Sequence, residues 1–311
     1  MLLPFRGLRP SLTTVLEQLL PQLHADVQLV LVDDGSDEDV LGTPNLRPLI
    51  DRPEVHVLRH PRNLGVAAAR NTGISWCLEH GFDIVVMVDD DCLVPADHVA
   101  RHLAAHRRHP EAAVVGGAIR GVGGTIWARL DAMMTWFHVL PEAKEGILRA
   151  PYSAPTANVS VKIRRLPFKN GFFDTRLRTG EDTAFSRAVR SAGHHLVFVP
   201  DAEIGHLDRN SFVDFLSHQY RFGRHHYFLG HIDLGLGDVC FKTWYRLLFL
   251  AGFVVVMPLY AFAGCLLNIR PVIAINRRAI VYWPLMQAVW LVKGIAVLEA
   301  AARVRSAYQL R

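Results

Sequence analysis

Ile84-Val85-Val86-Met87-Val88-Asp89-Asp90-Asp91 is the stretch whose reading decides the fold. Five apolar residues, three of them valines, run without a polar break into three carboxylates. A short, wholly apolar run reads as a strand buried on both faces, as in a parallel sheet covered by helices. In open α/β sheets, ligands gather at the carboxyl ends of such strands, which is where Asp89, Asp90 and Asp91 stand. Carboxylates clustered there repel one another unless a proton or cation neutralises them, so a divalent metal is their natural partner. Taken alone, three aspartates in a row are more often a solvated acidic turn. The neighbouring segments weigh between the two readings.

The pattern recurs upstream. Residues 27–32 (VQLVLV) form a second apolar run, which ends in Asp33-Asp34-Gly35-Ser36-Asp37. An EF-hand loop is excluded, because that pattern needs glycine where Glu38 stands. Leu2-Leu3-Pro4 is the stub of a first strand, and Ser11 can cap a helix reaching about Leu20 with one apolar face. Residues 55–58 form a short strand, followed by Asn63-Leu64-Gly65 and a helix through Ala69, Arg70, Asn71 and Gly73. One glycine in that turn is too few for the dinucleotide fingerprint G-x-G-x-x-G.

Downstream, residues 98–109 make a helix rich in His and Arg, and residues 114–117 a strand. The pattern loosens over residues 121–155, where Trp127, Met133, Met134, Trp136 and Phe137 make an aromatic-rich segment. It reads as a helix packed on the domain or as an acceptor- or membrane-facing surface. Residues 158–163 alternate like a strand. Gly180-Glu181-Asp182 opens a helix over residues 183–192 that closes at Gly193, and residues 196–199 form a strand stopped by Pro200 before His206. Alternating strands and helices of these lengths predict an α/β fold with a largely parallel sheet.

Of 311 residues, half are hydrophobic, with a mean hydropathy of +0.18, and the apolar excess lies after Leu247. The expected organisation is a catalytic-type domain over residues 1–235 and a membrane-associating region over 236–311. A net charge of +5 suits an anionic partner such as lipid headgroups, a sugar nucleotide or nucleic acid, without choosing among them. Cys77, Cys92, Cys240 and Cys265 show no paired spacing, which fits a reducing compartment and argues against structural zinc. The first residues are too short an apolar run for a signal peptide, so the domain is expected on the cytoplasmic side.

Together the fragments resemble the inverting glycosyltransferases of family 2. The resemblance rests on Asp33-Asp34-Gly35-Ser36-Asp37-Glu38, Asn63-x-Gly65, Ala69-Arg70-Asn71-x-Gly73, Asp89-Asp90-Asp91, Asn158-x-Ser160, Gly180-Glu181-Asp182 and His206, in that order. Glu38 departs from the family's usual aspartate. The resemblance implies the GT-A fold, an α/β nucleotide-diphospho-sugar transferase fold with a mostly parallel central sheet. It also implies a nucleoside-diphosphate sugar donor, UDP type favoured, with a divalent metal, Mg or Mn, clamping the diphosphate. The matching positions are Pro4, Arg6, Asp34, Asn63, Arg70 and Asp89 for the donor nucleotide, and Asp91, Asp89 and His206 for the metal. Asp90 reads as the solvated member of its run. Asp182 matches the base that deprotonates the acceptor hydroxyl. The plainer explanation of Glu181 and Asp182 is acids placed at a helix start by the macrodipole; that of Arg70 is a helix-surface charge.

Glu181, Trp136, Gln219 and Arg224 are the acceptor-side candidates. Processive relatives carry Gln-x-x-Arg-Trp; here Gln219 is followed by Phe222 and Gly223 at the Arg and Trp places, which favours single additions. His218, His225, His226 and His231 lack a zinc spacing. The expected acceptor is a cell-envelope glycan or a lipid-linked molecule, and no nucleic-acid partner is expected. Two alternatives remain: a nucleotidyltransferase of related fold, for which residues 4–9 are a poor loop, and a non-catalytic membrane scaffold, which would have no need of Asp91 or Asp182.

Residues 247–267 are uncharged and long enough to span a bilayer; residues 279–302 are apolar but carry Lys293 and Glu299. Lys242 and Arg246 precede the first segment and Arg270, Arg277 and Arg278 follow it, against the positive-inside tendency for a single crossing. The expectation is a cell-membrane hairpin or re-entrant pair dipping into the cytoplasmic leaflet, its basic residues on lipid headgroups.

Overall fold

A computed structural model describes residues 1–168, 171–233 and 239–303. The apolar runs become the centre of a nine-stranded sheet. In chain order the elements are β1 (Leu2–Phe5), α1 (Pro10–Leu19), β2 (Leu29–Asp33), α2 (Arg47–Ile50), β3 (Val55–Arg59), α3 (Val66–Glu79), β4 (Ile84–Val88), β5 (Cys92–Leu93) and α4 (His98–Arg108). Then follow β6 (Ala112–Val122), α5 (Ile126–Thr135), β7 (Gly146–Ile147), β8 (Asn158–Lys162), α6 (Glu181–Ser191), β9 (His195–Leu207), α7 (Phe212–Asp233), α8 (Thr243–Ile275) and α9 (Trp283–Arg303).

The strand order is β3-β2-β1-β4-β8-β6-β9-β5, with β7 paired to β9. β1 to β4 are parallel, in the register Leu3↔Leu31 and Leu31↔Val57. β8 then pairs antiparallel with β4 and with β6. The α/β expectation holds, but the parallel pairs of β1 to β4 adjoin antiparallel pairs at β8, so the sheet as a whole is mixed. Val85, Val86, Met87 and Val88 are all buried, and each such side chain contributes about 1.5–3 kcal/mol relative to exposure.

The chain divides into two compact units. The first comprises Met1–Arg120, Val139–Thr175 and Glu181–Leu207, and holds most of the sheet. The second comprises Gly121–His138, Arg176–Gly180 and Asp208–Arg311, and holds α5, α7, α8 and α9. The sequence boundary after residue 235 falls inside this second unit.

Two local expectations change, at the start of α1 and along β9. α1 begins at Pro10, with Arg9 rather than Ser11 at the N-cap; proline's fixed φ and missing N–H suit a first helical turn. β9 runs through Pro200 to Leu207 instead of stopping there. Proline removes a donor but has a φ compatible with extended backbone, so a strand can continue past it. The loosely patterned segment contains α5, capped by the Thr125 hydroxyl, which accepts from the Ala128 N–H at 3.2 Å.

In the second unit, Leu130, Met134, Phe215, Ala261, Cys265, Ile269, Met286, Val289 and Trp290 form one apolar cluster. α8 is continuous through Pro258 and Pro271, and α8 and the segment Arg277–Arg303 are each long and apolar enough to cross a membrane.

Candidate active site

In the first unit, two strand ends deliver the acids that the sequence singles out. The turn after β2 is built by its own side chains. Asp33 accepts from the Ser36 N–H and hydroxyl at 2.9 and 2.5 Å and pairs with Arg59 at 3.2 Å. Gly35 has φ +67°, and a Cβ there would lie 2.1 Å from the Arg62 carbonyl carbon, so only glycine fits this approach. Asp34, expected at the nucleotide base, is committed to the fold. It accepts from the Leu64 and Gly65 N–H groups at 2.9 and 2.8 Å and meets His60 Nδ1 at 2.8 Å. His60 belongs to none of the sequence motifs. Asn63 lies beside this cradle, in the turn before Gly65. Pro4 is buried in β1 opposite Val32, and Arg6 reaches Asp37 at 3.0 Å from a half-exposed position.

The turn after β4 divides its three carboxylates among three environments. Asp89 Oδ1 accepts from Arg70 Nη2 at 2.6 Å. Asp90 is 8% exposed and pairs with Arg9 at 3.4 Å. Burial, with the neighbouring Asp91 and Asp89 adding to it against Arg9, pushes its pKa up to about 7. That corrects its reading as the solvated member. Asp91 points to His206, Oδ1 to Nε2, at 3.2 Å. The pair forms because β5 runs antiparallel to the end of β9, in the register Cys92↔His206, and the Leu207 N–H donates to the Asp91 carbonyl at 2.9 Å.

Arg70 ties this turn to the start of α6. Its Nη1 donates to Glu181 Oε1 at 2.6 Å, and the residue is 2% exposed. It is therefore neither a helix-surface charge nor an open cation awaiting a diphosphate. It is a buried strut between two motifs. Next to it, Asn71 grips the loop ahead of α6: its Oδ1 accepts from the Phe172 and Phe173 N–H groups, and its Nδ2 donates to the Phe173 carbonyl.

Asp182 is half-buried, and its carboxylate accepts from the neighbouring Thr183 N–H at 2.6 Å. Burial first, then the adjacent Glu181 carboxylate, push its pKa up to about 7, against the opposing pull of Thr183 and Arg70. A carboxylate poised there suits a general base at neutral pH. Helix-start placement alone would favour the ionised form and does not account for the upward shift.

The donor set suits a divalent cation. Asp91 and His206 offer a carboxylate and an imidazole, a pairing compatible with Mn2+, and magnesium-type sites commonly use one or two carboxylates with substrate phosphates and water. Asp89, the third expected ligand, has its Oδ1 on the Arg70 guanidinium at 2.6 Å. Among the described residues no group of three His, Cys, Asp or Glu side chains converges on an ion site. Among the described residues, the Asp91–His206 pair is the platform that could hold an ion.

The acceptor-side candidates other than Glu181 belong to the second unit. Trp136 Nε1 donates to Asp208 at 3.0 Å, Gln219 donates to the wholly buried Asp131 at 2.8 Å, and Arg224 approaches Glu299 at 3.7 Å. Asp131 also binds His218 and Arg209. Burial would raise its pKa, but these partners outweigh that and hold it down at about 2. Asp131 escapes sequence reasoning because a single acid within an aromatic-rich helix carries no motif.

Comparison with known proteins gives the following. The model of the family described as Glycosyl transferase family 2 matches residues 3–176. A pre-mycofactocin glycosyltransferase of Mycobacterium tuberculosis is 26% identical over 216 residues, covering 67% of this chain and 43% of that protein. A polyprenol monophosphomannose synthase of Mycolicibacterium smegmatis is 30% identical over 114 residues, covering 35% of this chain and 41% of that protein. The chain thus spans less than half the length of these relatives. Among solved structures, a mannosyltransferase from Pyrobaculum calidifontis in complex with GDP-Man and Mn2+ superposes with a TM-score of 0.59 at 18% identity, over 96% of this chain and 86% of that one. GalNAc-T7 with UDP, GalNAc and Mn2+ superposes with a TM-score of 0.51 at 18% identity, over 73% of this chain and 50% of that one. These likenesses establish the GT-A fold.

Proposed function

The chain belongs to glycosyl transferase family 2, and from that premise we propose that it moves a sugar from a nucleoside-diphosphate donor to an acceptor hydroxyl or phosphate with inversion. The observation that carries the proposal is the Arg70 strut, which joins the Asp89–Asp91 turn to the Glu181–Asp182 helix start in one charged cluster. Asp182 takes the acceptor's proton during in-line attack, help that is worth about 10² to 10⁴ in rate. Glu181, neutralised by Arg70, keeps Asp182 basic enough to act and holds α6 against α3. Asp91 and His206 would hold a divalent metal, Mg2+ or Mn2+, which would supply Lewis-acid neutralisation of the leaving diphosphate. Asp89 stays on the protein's own cation and faces the nucleotide side.

The donor reading draws support from relatives crystallised with UDP or GDP-Man, with UDP type favoured here. The acceptor reading draws on relatives named for polyprenol and undecaprenyl phosphates, so a lipid-linked acceptor, added to once per turnover, fits a protein attached to the cytoplasmic face of a membrane.

A thermal-shift panel of UDP, GDP and dTDP, with and without Mn2+ or Mg2+, tests the proposal. One nucleotide should raise the melting temperature only with metal; no metal-dependent shift with any of them sinks it. Asp182→Asn should still bind the donor and lose about 10² to 10⁴ of transfer rate.

A further inference from the structure

Among the described residues of the second unit, the outer face of α8 is an uncovered apolar surface. Trp244, Leu248, Val255, Leu259 and Phe262 recur at helical spacing along one stripe, and Val255 is 79% exposed. The stripe extends about 27 Å along the axis. A different face, carrying Ala261, Cys265, Asn268, Ile269 and Val272, is buried, and most of it packs against α5 and α9.

Length and composition alone would let α8 and α9 cross a bilayer as a hairpin, but α7 runs beside them. Phe215 packs in the cluster that holds Ala261, Cys265 and Ile269 of α8 and Met286, Val289 and Trp290 of α9. Farther along α7, a Cβ on Gly223 would meet the Lys293 backbone and Ala296. Tyr227 and Phe228 then pack with Val297, Ala300, Phe249 and Phe253. Between the Phe215 and Phe228 levels α7 thus flanks the pair for about 20 Å, some two-thirds of the thickness of a hydrocarbon core.

α7 is not a membrane helix. Asp214 and Arg221 on it are exposed, and Arg221 lies between the Phe215 and Tyr227 levels. An upright α8–α9 pair would carry that arginine into the bilayer interior, where a charge facing lipid is costly. Lys293, the cation midway along α9, faces inward instead, 3% exposed with its ammonium over the Trp290 ring at 4.5 Å.

We propose that α8 lies along an anionic bilayer surface, its Trp244–Phe262 stripe sunk in the acyl layer and α7 held on the aqueous side. The charges at its ends fit that geometry. Lys242 and Arg246 stand at one end of the stripe, and Arg270, Arg277 and Arg278 follow the other. A helix in the membrane plane brings both groups to the same layer of anionic headgroups, whereas a crossing helix separates them. This deepens the membrane attachment stated above, and rests on that part of it alone.

The test uses the full chain on vesicles of phosphatidylglycerol and phosphatidylcholine. Single cysteines replace Leu248, Val255 and Phe262 in turn and carry an environment-sensitive fluorophore, read against lipids spin-labelled at shallow or deep acyl positions. The four native cysteines are buried. All three sites should be quenched more by the shallow label and report one common depth. A Val255 probe at the bilayer centre with the other two shallower overturns the in-plane geometry in favour of crossing. Probes indifferent to vesicles overturn it together with membrane attachment, and if Leu248→Asp then converts a dimer to a monomer, a second copy covers the stripe. The double variant Leu248→Asp, Val255→Asp should weaken vesicle binding at least tenfold with an unchanged melting temperature; unchanged binding contradicts the assignment. The metal-dependent nucleotide shift is measured without vesicles, so its failure and this one are separable.

Discussion

Replacing Arg70 by glutamine strips the charge from a guanidinium that is 2% exposed and leaves the Glu181 carboxylate buried without its counter-ion. Breaking a buried pair this way costs about 3–5 kcal/mol, read as a shift of the urea midpoint, and Arg70→Lys should recover little because an ammonium cannot reach both acids with a planar fork. Asp182 gives a second expectation at this scale. Its pKa is raised to about 7, so the ionised, proton-accepting form grows as pH rises through neutrality. The kcat/KM profile should therefore lose activity on the acid side below about pH 7; a limb near the ordinary carboxylate value of 3.8 contradicts the assignment. The sequence marks Asp91, Asp182 and His206 by their places in a series of motifs, and the fold brings two of them, Asp91 and His206, to 3.2 Å. The burial of Arg70 was not, since its partner Glu181 lies 111 residues away and no local pattern shows that distance closing. Asp34 shows the same limit: the sequence marks it, but only the folded turn reveals that its oxygens already serve Leu64, Gly65 and His60.

Among the elements, α4 shows what a composition count overlooks. Its histidines at 98, 102 and 106 share one helix face and are all buried. His102 meets Ser160 and Asn158, each at 2.9 Å, and His106 meets Ser160 at 2.9 Å. Asn158, marked by the Asn-x-Ser motif, also donates to the Ala118 and Ala202 carbonyls, so it fastens β6, β8 and β9 together. Burial pushes the His102 pKa down to about 4 and that of His106 to about 3. The unfolded chain takes up these protons from 6.5 downward while the folded chain resists. Stability should thus be intact above pH 6.5 and fall by about 1.4 kcal/mol per pH unit for each histidine as pH drops toward 4. Melting curves from pH 7.5 to 5 check this, and His106→Leu should flatten the slope; an unchanged slope excludes His106 as a source. Strand and helix existence was legible from apolar periodicity. The length of β9 was not, because Pro200 reads as a stop until its extended backbone is seen.

For the molecule as a whole, ligand binding and folding are linked. Saturation with the right nucleotide and metal at 100 times Kd should add about 2.7 kcal/mol of stability, and a chelator should remove it while leaving the nucleotide-free melting temperature unchanged. A chelator that alone lowers that temperature would point to a structural ion instead. The α/β character and the apolar C-terminal region were both visible in the order of apolar runs. The allocation of α5 to the second unit was hidden, because it depends on Leu130 and Met134 meeting α8 residues more than 120 positions downstream.

Synthesis imposes its own order on the mixed sheet. β1 to β4 come from the first 88 residues and complete their parallel pairing among themselves, but β4 gains its second neighbour only with β8, beginning at Asn158. At roughly 5–20 residues per second, those intervening residues leave the ribosome over about 4–14 s. During that interval the Ile84–Val88 strand presents an unpaired, wholly apolar edge to solvent. The segment that carries the acidic turn is therefore also where the nascent chain is most exposed to misassociation.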